Sequence, residues 1–236
     1  MSAFDLVIFD CDGVLVDSEV ISCQAHADVL SLCGYPITAE QVFDRFLGRS
    51  AKQARLEIEA ELGRRLPEDF TARLQDQLFR AFVADLKPIS GIAQALDAVD
   101  LPICVASSGS HQRMQVSLGA VRLYDRFAPN IFSSSQVEHG KPAPDLFLFA
   151  ASQMRADPAR CVVIEDSVAG IRGAVAAGMM VLGFHGGSHC GPDYAATLHG
   201  AGATATFSDM SALPALIAGL EHDLEKGKPV FRKDPA

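Results

Sequence analysis

At 236 residues, with 49% hydrophobic and 21% charged side chains, the chain has the makeup of a folded globular protein, which excludes wholesale disorder. Its 20 basic and 29 acidic residues leave a formal charge of −9, which argues against duplex DNA as a partner, because displacing DNA counterions takes a basic footprint. No apolar run approaches the ~18 residues of a membrane span and no basic leader precedes the apolar start, so neither a membrane partner nor a signal peptide is expected.

The first element in chain order is Phe4-Asp5-Leu6-Val7-Ile8-Phe9-Asp10, a short apolar, β-prone run that reads as a buried strand ending in a Cys11-Asp12-Gly13 turn. From Ser18 to Leu86 no strand is predicted. Thr38-Ala39-Glu40-Gln41 fits a capping box ahead of Val42, Phe43, Phe46 and Leu47 at helical spacing. Pro67 suits the first turn of a further helix, whose stripe of Phe70, Leu74, Leu78, Phe79 and Phe82 reads as the core of this helical insert. Strands return after Pro88, at Pro102–Ala106, Ile131–Ser133, Cys161–Glu165 and Met179–Phe184. A helix from Pro144 to Met154 and another capped by Ser167 and stopped at Gly178 lie between them.

Strands alternating with helices imply right-handed crossovers and an α/β fold with a doubly wound, Rossmann-like parallel sheet. The expected organisation is a core of residues 1–17 and 88–220, an inserted all-helical domain at 18–87, and a tail at 221–236 that frays. Six cysteines (Cys11, Cys23, Cys33, Cys104, Cys161, Cys190) form no C-x-x-C pair and sit mostly in apolar runs, as buried thiols do in a reduced, cytoplasmic protein.

Ligands of open parallel sheets bind beyond the carboxyl ends of the strands. Those ends carry Asp10 and Asp12, then Ser107 and Ser108, then Glu165 and Asp166, with Lys141-Pro142 in a loop between the last two groups. Four carboxylates beside a lysine and a hydroxyl make a poor core and a sensible site for Mg²⁺ and phosphate, since Mg²⁺ prefers oxygen ligands. Each piece alone has a plainer reading as a turn, a helix cap or a solvated charge. Their joint occurrence at three strand ends is what points to a site.

These residues also carry a family resemblance. Asp10-Cys11-Asp12-Gly13-Val14-Leu15-Val16-Asp17-Ser18 resembles the first motif of the haloacid dehalogenase-like hydrolases, Ser107 the second, Lys141 the third, and Glu165-Asp166-Ser167-Val168-Ala169-Gly170 the fourth. The order is the family's, over about residues 4 to 215, and the look-alikes are the sugar-phosphate phosphatases and the β-phosphoglucomutase-like branch. The resemblance implies a small phosphorylated substrate and an aspartyl-phosphate formed on Asp10, with Asp12 as acid and base. It further implies Mg²⁺ held by Asp10, Asp166, the Asp12 carbonyl and Glu165, directly or through water, and a phosphate held by Ser107, the Ser108 N–H and Lys141. The insert becomes a mobile cap, and Gly48 and Arg49 fall in a loop where the family's cap meets its substrate.

Asp12 favours phosphoryl chemistry over dehalogenation, since the dehalogenases lack that second aspartate. A phosphosugar mutase shares the core motifs, but this branch's mutases place a histidine where Ser22 stands and an arginine where Ala51 falls. A non-enzymatic phospho-acceptor switch would use a similar acidic pocket but has no use for an acid–base residue or a helical insert. Asp17 is expected to start the first insert helix, and His185-Gly-Gly-Ser-His189-Cys190 reads as a mobile glycine-rich loop rather than a transition-metal site. The acidity has a task in this scheme: with Mg²⁺ and Lys141 in place, the four site carboxylates come close to neutrality, so phosphate binding is expected to require the metal.

Overall fold

A computed structural model describes residues 2–46 and 51–226, which leaves Gly48 and Arg49 outside the described residues. The chain divides into two compact units, Met1–Asp17 with Pro88–Ala236, and Ser18–Lys87.

The larger unit is built on six strands, β1 (Leu6–Phe9), β2 (Ile103–Ser107), β3 (Ile131–Ser133), β4 (Cys161–Glu165), β5 (Met180–Phe184) and β6 (Ala205–Phe207). Their order is β3-β2-β1-β4-β5-β6, and every pairing is parallel. The expected doubly wound sheet is therefore present, with β6 added to the strands that the sequence predicts. Chain order runs outward from β1 through β2 to β3, then restarts on the other side at β4. The switch in direction falls between β1 and β4, where such sheets open a crevice.

The strands read as unbroken apolar runs because both faces of a parallel sheet are covered. Leu6, Ile8, Cys104, Ala106, Cys161, Val163 and Val181 share one buried cluster with Leu146, Phe147, Ile171 and Ala174 of the helices at Asp145–Met154 and Val168–Ala176. The alternate residues Val7, Phe9 and Val105 are equally buried, and Phe9 packs edge-on against Phe127 at 5.9 Å. Each such side chain, fully buried, contributes about 1.5–3 kcal/mol.

The smaller unit holds helices at Glu19–Leu32, Ala39–Phe46, Ala51–Leu62 and Phe70–Asp85. Thr38 and Gln41 bond reciprocally, Thr38 N to Gln41 Oε1 at 2.9 Å and Gln41 N to Thr38 Oγ1 at 3.2 Å, which is the capping box. Pro67 departs from expectation: it lies in the turn before the helix, its carbonyl accepting from Phe70 N, because the helix begins only at Phe70. Phe70, Leu78 and Phe82 of the aromatic stripe are buried. At the other end of the chain, the final helix runs from Leu213 to Glu225, into the stretch that the sequence leaves as a fraying tail. No helix among the described residues is long and apolar enough to cross a membrane.

Candidate active site

The carboxyl ends of β1, β2 and β4 bring the strand-end residues to one edge of the sheet. β1 stops at Phe9, and the turn after it is closed by Gly13 N to Val16 O (2.8 Å) and Leu15 N to Cys11 O (2.9 Å). Gly13 sits at φ +79°, and a Cβ on it would come within 1.8 Å of Asp166 Oδ2, so the turn admits only glycine here. β4 ends in Glu165, after which Ser167 caps the next helix by accepting from Gly170 N at 3.0 Å. A Cβ at Gly170 would lie 1.7 Å from Glu165 Oε1, so the fourth motif's glycine makes room for its glutamate.

Asp10, Glu165 and Asp166 are all buried, and one carboxylate oxygen from each lies within 4.8 Å of the others. Lys141, its side chain 4% exposed, reaches into this cluster, with Nζ 2.9 Å from Asp10 Oδ1 and 2.6 Å from Glu165 Oε1. The same ammonium stands 5.2 Å over the Phe147 ring. Glu165 Oε2 accepts from Ser167 N at 2.7 Å. Ser107 is buried and accepts from Gly109 N at 3.1 Å, while Ser108 is exposed and its carbonyl accepts from Ser134 Oγ. A Cβ on Gly109 would lie 3.4 Å from Ser107 Oγ and 3.7 Å from Asp12 Oδ2, so both oxygens lie close to the Gly109 backbone.

Burial first, and then the nearby charges of Glu165 and Asp12, push the Asp10 carboxyl up from the ordinary 3.8 to about 7, against the pull of Lys141. Burial alone would lower the Lys141 ammonium, but Asp10 and Glu165 outweigh it and hold the group above the usual lysine range. The sign for stability follows from the proton count. Between about pH 4 and pH 7 the folded, metal-free chain keeps the Asp10 proton and the unfolded chain does not. Stability is therefore expected to fall as pH rises through that window, by up to about 1.4 kcal/mol per pH unit. Urea midpoints across about pH 4.5 to 7.5 isolate this contribution: the wild-type midpoint minus that of Asp10→Asn is expected to fall as pH rises, and a value that stays flat or rises contradicts it.

The set fits a hard divalent cation. All three buried ligand groups are oxygen donors, and three carboxylates against one ammonium leave a surplus of negative charge that a divalent ion offsets.

Three features are not legible in the sequence reading. Arg113, on the first turn of the helix that Ser110 caps, holds Asp12 with two N–H groups, Nη2 to Oδ1 at 2.9 Å and Nε to Oδ2 at 3.2 Å. Its only signal is a place three residues after a cap at the end of a site strand. Asp17 does not start the insert helix, which begins at Glu19. Its Oδ1 instead accepts from the backbone N–H and the hydroxyl of Ser188, at 3.1 and 2.8 Å. His189 corrects the mobile-loop reading: it is 8% exposed, with Nε2 3.1 Å from Asp166 Oδ2.

A family model described as haloacid dehalogenase-like hydrolase matches residues 4–178. The chain is 33% identical, over 92% of its own length and 96% of the relative's, to a 6-phosphogluconate phosphatase of Escherichia coli. Among solved structures it resembles a conserved haloacid dehalogenase-like protein of unknown function from Agrobacterium tumefaciens, at 43% identity and TM-score 0.80, covering 92% of this chain and 99% of that one. It also resembles a hydrolase of the same family from Deinococcus radiodurans, solved with bound phosphate and sodium, at 33% identity and TM-score 0.76, over 93% and 97% of the two chains. The four motifs, the switch-point cluster and these likenesses converge: the chain belongs to the haloacid dehalogenase-like hydrolases and is a phosphoric monoester hydrolase.

Proposed function

We propose that this phosphatase hydrolyses a small phosphorylated metabolite, a sugar or sugar-acid phosphate, in a Mg²⁺-dependent reaction through an aspartyl-phosphate on Asp10. The observation that carries the reading is the buried cluster of Asp10, Glu165, Asp166 and Lys141 at the switch point of the sheet. The name of the Escherichia coli relative and the phosphate bound in the Deinococcus structure support the substrate class. The six cysteines are free thiols, five of them buried, which supports a reducing, cytoplasmic setting.

In this mechanism an oxygen of Asp10 attacks phosphorus in line, and the phosphorus–oxygen bond to the leaving group breaks. Lys141, Ser107 Oγ and the Ser108 N–H hold the transferring oxygens as their charge redistributes. Asp12 gives a proton to the departing alkoxide, then takes one from the water that attacks the aspartyl-phosphate and frees Asp10. Asp10, Asp166, the Asp12 carbonyl and, directly or through water, Glu165 would hold Mg²⁺, which when bound offsets the repulsion between a carboxylate nucleophile and a phosphate dianion. Glu165 also steadies Lys141, to which it is paired.

The insert at 18–87 acts as a cap that excludes water and selects the leaving group, with Gly48 and Arg49 as substrate contacts. Hydrolysis is favoured over the mutase alternative because Ser22, buried on the first insert helix, offers no imidazole where a mutase carries one. It is favoured over a phospho-acceptor switch because Asp12 can discharge the intermediate.

A screen of phosphorylated metabolites with free-phosphate detection tests the reading; a chain that takes up phosphate once and stops contradicts it. Including β-glucose 1-phosphate with a bisphosphate primer exposes a mutase by its isomer product. Asp12→Asn is expected to slow leaving-group release in a single turnover, before water attacks the aspartyl-phosphate, by about 10²–10⁴-fold for alkyl phosphates. It should cost much less for p-nitrophenyl phosphate, whose leaving group needs no proton. Equal losses on both substrates would count against the acid role.

A further inference from the structure

His189 is a buried imidazole to which the reaction above gives no task. Its Nε2 lies 3.1 Å from Asp166 Oδ2, and both side chains are almost wholly enclosed. A carboxylate only accepts, so the hydrogen sits on Nε2 and the imidazole donates to Asp166. Cys190 Sγ, 3.4 Å from the same nitrogen, is a weaker partner.

The ring is fixed from several sides. Tyr194 meets it edge-on at 5.8 Å. A Cβ on Gly187 would stand 2.8 Å from both Cε1 and Nδ1, and one on Gly13 would stand 3.0 Å from Cε1. Two glycines, one from this loop and one from the turn after β1, thus leave the space that the ring fills. The loop is itself tied down: Ser188 bonds to Asp17, and Cys190 N donates to Gly187 O at 3.0 Å.

We propose that His189 is a positioning residue for the divalent-cation site. By donating to Oδ2 it fixes the rotation of the Asp166 carboxylate, so that Asp166 faces a cation jointly with Asp10 and Glu165. Hydrogen-bond partners of metal ligands act in this way, and losing one typically costs about 10–100-fold in metal affinity. The inference rests on the cation reading above and assigns one of its determinants to the loop after β5.

The test is calorimetric titration of Mg²⁺ into the metal-free, full-length protein, alongside thermal unfolding of the same samples. His189→Leu is expected to bind Mg²⁺ about 10–100-fold more weakly, and His189→Gln, whose amide N–H falls near the Nε2 position, to stay within a few-fold of wild type. A folded His189→Leu with wild-type Mg²⁺ affinity overturns the proposal. Should His189→Leu fail to fold, His189→Gln against His189→Asn decides, since the shorter amide stops short of Asp166. Weaker binding by the Asn variant supports the assignment, and equal affinities overturn it. Asp166→Asn is the separate control. If it binds Mg²⁺ as tightly as wild type, the cation site is itself misplaced and the task given to His189 falls with it.

Discussion

Replacing Asp10 by Asn is expected to lower Mg²⁺-dependent phosphate release by at least about 10⁴-fold, the scale seen when a nucleophilic or relay group is removed from an otherwise intact site. An amide of nearly the same shape cannot form the acyl phosphate, so acid-quenched protein should carry no phosphoryl group. Undiminished release would falsify the assignment. The fold is expected to survive, and the metal-free variant to be at least as stable as wild type near pH 8. Asp10 is buried beside Glu165, whose charge opposes its ionisation, and the neutral amide removes that conflict. A gain in stability paired with a loss of activity is the signature of a group kept for chemistry rather than for folding.

Lys141→Met is expected to do the opposite on stability. The ammonium is enclosed between Asp10 and Glu165 at 2.9 and 2.6 Å, and removing it leaves two buried carboxylates facing each other. Breaking such a pair from one side costs about 3–5 kcal/mol, which for a chain of this length lowers Tm by roughly 10 °C. In the proposed mechanism the same group steadies the transferring oxygens, so phosphate release should fall together with stability. Mg²⁺ should restore part of the lost Tm by supplying positive charge to the same cluster. A Tm within a degree or two of wild type would show that Lys141 does not carry the buried charge balance argued for it.

The parallel sheet explains why so much of the site could be read in advance. Every strand of such a sheet ends at the same edge, so finding where β1, β2 and β4 stop was enough to collect Asp10, Asp12, Ser107, Glu165 and Asp166 without coordinates. Lys141 comes from a loop and not from a strand end; its place between two of those groups marks it, and its role rests on the resemblance.

What escaped depends on side-chain direction rather than strand position. Asp12 and Arg113 are 101 residues apart in sequence, and only the placement of one helix against the first turn brings them together. His189 looked like a loop residue because glycines flank it, yet Gly187 is there to admit the imidazole. Asp17 had the composition of a helix start and became the anchor for Ser188 instead. Pro67 was compatible with a first turn, but Asp69 stands at the N-cap and the helix begins after it. Gly48 and Arg49 lie outside the described residues, so their place in the scheme rests on the resemblance.

The strand order also governs how the site comes into being. β1 is made first but lies in the middle of the sheet, pairing at Val7 with Ile103 on one side and at Leu6 with Cys161 on the other. The first neighbour, β2, exists only after the whole insert has been synthesised, and the second, β4, only after much of the later core. Strand β1 thus waits, with its apolar residues unpaired, for partners far along the chain, and contacts of such long range make for slow folding. Asp10 and Asp166 can meet only after that wait is over. The acidic cluster is accordingly a late product of folding, and a nascent chain truncated before β4 lacks Glu165 and Asp166, two of its three carboxylates.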